Sequence, residues 1–130
     1  MAAVTVSCPV YPSEDPEKVK KALLSIFPTG DFQLEDGTMS GTADLDNFSN
    51  LIRKQRILDT TRSQMLKGMG RSTRKTRFNL NKQVATVGKV SFVEYRIALG
   101  TIEVTVEDDD LPALIDRIAP VTVDGEEVKQ

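Results

Sequence analysis

An α+β domain, with a mixed and mainly antiparallel sheet covered by helices on one face, is predicted from three features of the sequence. Two stretches, Val4 to Val10 and Ile102 to Val106, alternate apolar and polar residues with the period of strands that bury one face. Other stretches repeat apolar residues at helical spacing, as Val19, Ala22, Leu23, Ile26 and Phe27 do. Strand runs also adjoin one another between helices, which favours antiparallel pairing over a doubly wound parallel sheet. With 130 residues, 39% hydrophobic and 28% charged, the chain suits one domain over residues 1–130, and it has no repeat or linker.

In chain order, Val4, Val6, Cys8 and Val10 form the first strand, which Pro12 ends. Asp15 is expected to cap a helix with Pro16 at its first position and Pro28 beyond its end. Phe32 and Leu34, then Asp36-Gly37, then Met39 predict a hairpin on a type I′ turn. Asp44 is expected to cap the longest helix, at about residues 45–67, ending before Gly68 and Gly70. A loop rich in Arg, Ser and Thr follows. From Thr76 to Phe92 the pattern is ambiguous: Arg77–Leu80 and Lys89–Val93 read as strand, Asn81–Thr86 as a turn of helix. After the strand through Ile102, Val104 and Val106, Asp110 caps a last helix bearing Leu111, Leu114, Ile115 and Ile118, up to Pro120.

The net charge of −2 conceals segregation. Residues 50–90 hold eleven cations and a single acid, Asp59, for a net +10, and the rest of the chain carries −12. Such a tract suits a localised polyanion site, or else a solvated basic face paired with the acidic flanks. Catalytic classes are poorly served. Without histidine the commonest general base and zinc ligand are missing, and the lone Cys8 builds no metal site, so no enzyme activity, metal or cofactor is expected. Asp108, Asp109 and Asp110 read more simply as a helix start than as a magnesium site. Gly68-Met69-Gly70-Arg71 lacks the third glycine of a dinucleotide fingerprint, and Gly88-Lys89 is preceded by Gln83 where a P-loop needs glycine. The Phe92-Val93-x-Tyr95 ending matches only half of an RNA-recognition signature. Cys8 is expected to be buried and reduced. No signal peptide or membrane span is apparent, which makes the cytoplasm the expected location.

On one continuous helix, Arg53, Arg56, Thr60, Ser63 and Lys67 share an outward arc able to follow a phosphate backbone. Leu45, Phe48, Leu51, Ile52, Leu58, Met65 and Leu66 form the core arc, with Gln55, Asp59 and Arg62 inside or beside it. Those three polar groups form either a structural network, with Asp59 between Gln55 and Arg62, or a ligand site. Beyond the helix, Arg71, Arg74, Lys75, Arg77, Asn81, Lys82, Gln83 and Lys89 offer further contacts to phosphates, sugars and base edges, or belong to a solvated turn. Aromatic content of 5% argues against a stacking platform and for structured RNA.

The blocks Arg53-x-Gln55-x-Ile57-Leu58-Asp59-Thr60-x-Arg62, Phe78-Asn79-Leu80-Asn81-Lys82-Gln83 and Gly88-Lys89-Val90-x-Phe92 resemble the signatures of an archaeal family of uncharacterised proteins. That family is labelled RNA-binding by similarity, and its fold is similar to that of the large-subunit ribosomal protein L-five, which binds five-S RNA. Thr61 departs from the small alanine common there. The resemblance implies RNA binding and gives no catalytic residues. Some relatives are joined to a P-loop kinase-like domain, which implies a kinase-like partner as the alternative role.

Overall fold

The computed structural model of the chain describes residues 3–71, 73–93, 100–123 and 126–127. The elements are β1 (Ala3–Pro9), α1 (Pro16–Ile26), β2 (Asp31–Glu35), β3 (Thr38–Ala43), α2 (Asp46–Lys54), α3 (Leu58–Met69), β4 (Lys75–Asn81), α4 (Lys82–Ala85), β5 (Thr101–Glu107), α5 (Leu111–Ile118), β6 (Thr122–Val123) and β7 (Glu126–Glu127). Five strands form a sheet in the order β2-β3-β1-β5-β4, and every pairing in it is antiparallel, so the expected mixed sheet is antiparallel throughout the described residues.

The alternating stretches bury one face as their period requires. Val4, Val6 and Cys8 of β1, Thr76, Phe78 and Leu80 of β4, and Ile102, Val104 and Val106 of β5 all lie inside, opposite the apolar stripes of the helices. Phe27, Phe48, Phe78 and Phe92 form a column of rings with successive centroids 6.1, 5.6 and 5.7 Å apart, tying α1, α2 and β4 together. Asp15 accepts a bond from the Glu17 amide at the start of α1, and Asp110 accepts one from Ala113 at the start of α5. Asp36 and Gly37, at φ +48° and +76°, make the two-residue turn of the β2–β3 hairpin. The ambiguous stretch becomes β4 followed by the short α4, with Phe92 bridging back to Leu80.

The single helix expected over 45–67 is two helices that meet at a corner. The Arg56 amide donates to Arg53 O and the Ile57 amide to Ile52 O, the paired closing bonds of a Schellman stop, with Arg56 left-handed at φ +58°. Glycine normally takes that position, since a side chain there costs roughly 1–2 kcal/mol. No glycine or proline therefore marks the break. Tertiary bonds hold it instead: the Gln55 side chain donates to Val90 O at 2.8 Å and accepts from Val90 N at 2.7 Å, pairing with that backbone as a strand would. Asp44 still supports the first turn of α2 by accepting from the Asp46 amide.

The end of the helical region also moves. Gly68 lies within α3, where a Cβ would sit 2.0 Å from Arg77 O, so it permits the close approach of α3 to β4; Gly70, at φ +54°, ends the helix. Leu66, assigned to the core arc by a straight-helix projection, is 45% exposed because the corner rotates α3 relative to α2.

Candidate nucleic-acid interface

Three cations of the basic tract act as internal struts. Arg53, expected to face solvent, donates to Arg117 O at 3.1 Å and Ile118 O at 3.4 Å, and also bonds Ser49, so its guanidinium binds the carbonyls that end α5. Arg62 reaches Asp116 at 2.7 Å and Ala119 O at 3.2 Å. Lys82, counted among the residues that would contact RNA, is 4% exposed. Its Nζ donates to Pro9 O at 2.6 Å and to Glu14 Oε1 at 2.7 Å, and it stands 5.4 Å from the centre of the Tyr11 ring. The reason is positional: Lys82 opens α4 directly after an edge strand, where an apolar stem can run inward and place its ammonium under the β1–α1 loop.

The polar trio does not form a mutual network. Gln55 bonds Val90, Arg62 bonds α5 and the residue after it, and Asp59, which is exposed, accepts from Thr122 Oγ1 at 2.6 Å. Each side chain joins a different part of the chain to the α2–α3 region. The ladder that i,i+3 and i,i+4 spacing suggested is replaced because the corner removes Gln55 from the helix that carries Asp59. Thr61, buried in α3, donates its hydroxyl to Ile57 O at 2.8 Å. Asn81 caps α4 by accepting from Gln83 and Val84 amides, so its side chain oxygen too is committed internally.

The remaining cations stay on the outside, in separate groups. Lys75 and Arg77 lie on the open face of edge strand β4, where their Nζ and Nε stand 3.6 and 3.7 Å from Glu107 and Glu103 of β5. These exposed pairs are worth little, under about 1 kcal/mol each. Lys67, Arg71 and Arg74 are exposed around the end of α3 and the turn after it. Lys54, Arg56 and Lys89 are exposed at the α2–α3 corner: Gln55, bonded to Val90, has Lys54 and Arg56 as chain neighbours, and Lys89 precedes Val90. Gln83 is exposed on α4, beside a cleft of about 370 Å³ that Ser13, Glu14, Val19 and Thr86 also line. No single stripe of the expected kind unites all these cations.

The open sheet face carries Asp31, Glu35, Glu103 and Glu107 besides the two cations, which makes it a poor polyanion surface. Among the described residues no group of three His, Cys, Asp or Glu side chains is arranged to hold a metal ion, and no helix is long and apolar enough to cross a membrane. The Asp108 carboxylate accepts from the Asp110 amide at 2.8 Å, the helix-start role expected of it.

Burial, opposed by the neighbouring Lys82 charge, pushes the Cys8 thiol up to about 11. A thiol reagent at neutral pH is therefore expected to label the native protein only as fast as it unfolds, whereas denaturant releases one reactive thiol at once. Rapid stoichiometric labelling of folded protein would contradict this placement.

This scaffold is matched over residues 3–107 by a family model described as RNA binding, and the chain belongs to that family. Within it the chain is one of the UPF0201 proteins. It is 40% identical to the UPF0201 protein of Methanothermobacter thermautotrophicus over 92% of each chain. A UPF0200/UPF0201 protein of Archaeoglobus fulgidus is also 40% identical across 98% of this chain, which spans only 40% of that longer protein. The crystal structure of a UPF0201 protein from Methanococcus jannaschii superposes with a TM-score of 0.85 at 34% identity, covering 98% of this chain and 99% of the other.

Proposed function

We propose that the protein binds structured RNA through the exposed cations of the α2–α3–β4 region and has no turnover of its own. The observation that carries this reading is the division of the basic tract: Arg53, Arg62 and Lys82 are internal struts and Lys75 and Arg77 lie beside acids on the open sheet face, while Lys54, Arg56, Lys67, Arg71, Arg74 and Lys89 keep their stems on the surface at the corner and around the end of α3. A tract needed only for the internal struts would not hold six further cations at the surface in those two places. Membership of a family described as RNA binding points the same way, and the proposal includes the fold likeness to ribosomal protein L-five that the signature blocks imply. If about five phosphates are neutralised, log K against log salt is expected to slope at roughly −3.5 to −4.5. Affinity for folded RNA measured from about 50 to 200 mM salt tests this; no binding at the low end, or a flat dependence, overturns it.

A second reading, an accessory module that docks on a P-loop kinase-like partner, has one supporting observation. The matched region is 40% of the length of the Archaeoglobus fulgidus relative, so a related domain occurs inside a longer chain. Co-purification of a protein partner at high salt, without RNA, would favour it.

A further inference from the structure

The two exposed cation groups of the helical side stand at opposite ends of α3. At one end is the α2–α3 corner with Lys54, Arg56 and Lys89; at the other are Lys67 and Arg71, and α3 between them has 12 residues, a rise of about 18 Å. Between these ends α3 presents Thr60 and Ser63, both exposed, at positions that share a helix face with Lys67. We infer that α3 is a two-ended clamp for double-helical RNA, its ends on phosphates of the two strands and its hydroxyls over the minor groove between them. This deepens the RNA-binding reading and rests on it.

Three observations select this partner. The first is the corner itself. Arg56 holds a left-handed conformation that glycine would adopt without strain, so a charged side chain stands where the fold alone favours none. Gln55 and Val90 hold that corner against the 88–90 segment, so Lys89 and Arg56 are presented together and not on independently moving loops. The second is the lack of a stacking surface among the described residues. Phe27, Phe32, Phe48 and Phe78 are buried, Phe92 packs on Phe78, and Tyr11, 39% exposed at the margin of the open sheet face, is a single ring already faced by the Lys82 ammonium, not a row on which successive bases could stack. Single-strand binders depend on such rings. The third is the chemistry of α3's outer face. The stripe Thr60-Ser63-Lys67, flanked by the exposed Asp59, whose carboxylate is taken up by Thr122, and by Leu66, sets hydroxyls between cationic ends and matches a wide, shallow groove lined with 2′-hydroxyls, the feature that distinguishes an RNA duplex from a DNA duplex.

The test compares one RNA duplex of about 20 base pairs, the DNA duplex of the same sequence and one RNA strand alone, by fluorescence anisotropy at fixed salt. The full chain is expected to bind the RNA duplex at least tenfold more tightly than either of the others. Arg56→Gly with Lys89→Ala, and separately Lys67→Ala with Arg71→Ala, are each expected to weaken duplex binding about tenfold and to flatten the salt slope by about 2. Arg56→Gly removes the charge while easing the backbone, so melting should not fall, and lost binding cannot then be ascribed to unfolding. Thr60→Val with Ser63→Ala should shrink the preference for RNA over DNA. Equal binding to the three nucleic acids, or sensitivity at one end of α3 only, overturns the clamp while leaving RNA binding in place. Failure to bind any of them overturns both readings.

Discussion

Replacing Lys82 by methionine is expected to destabilise the protein by about 3 kcal/mol, lowering the melting temperature by roughly 10 °C. The ammonium and the Glu14 carboxylate form a pair with side chains only 5% and 15% exposed, so removing one partner leaves the other covered and uncompensated. The pair also fixes the β1–α1 loop to α4, because Glu14 Oε1 accepts from the Tyr11 amide as well. Burial by itself would raise the Glu14 pKa, but the Lys82 hydrogen bond, the Tyr11 amide and the Lys82 charge together hold it below the ordinary 4.5. A carboxylate depressed in the folded state contributes stability that is complete above its unfolded pKa and is lost as pH falls through the folded one. Native protein should therefore lose this contribution below about pH 4.5, and Glu14→Gln should lack that part of the acid sensitivity. Thermal melts of Lys82→Met and Glu14→Gln at pH 7 and pH 4 measure both effects. A Lys82→Met melt within about 2 °C of the parent would show the pair to be dispensable.

The second large effect is an inversion of what the helix periodicity suggests. Arg53→Ala is expected to cost about 2 kcal/mol, since its charged donors satisfy carbonyls at the end of α5 that would otherwise lose their partners. Asp59→Ala, which a straight helix would make the costly change at the core boundary, is expected to cost under about 1 kcal/mol: the carboxylate is exposed and accepts from the Thr122 hydroxyl at the surface. Denaturant unfolding of the two variants under one condition decides the order. If Asp59→Ala proves the more damaging, the corner between α2 and α3 does not have the geometry described.

These contrasts show where local sequence was informative. The strands were legible because a period of two commits alternate residues to a face, and the Asp36-Gly37 turn because its chain must take positive φ twice. Helices α1 and α5 were legible because each carries its own cap and an uninterrupted apolar stripe. The outcome of the +10 tract was not legible in the same way, since charge counts do not say which cations point inward.

The sequence by itself determined an α+β domain with one buried sheet face, the buried cysteine and the presence of a basic middle segment. Tertiary structure alone decided that Arg53, Arg62 and Lys82 are struts, that Gln55 pairs with the Val90 backbone, and that the long helix bends at Arg56. The physical reason is range. Periodicity, capping and turn chemistry act over four or five neighbours, whereas each of those outcomes depends on a carbonyl, carboxylate or amide between 35 and 73 positions away in the chain or, for Arg56, on the bond that its neighbour Gln55 makes to such a group.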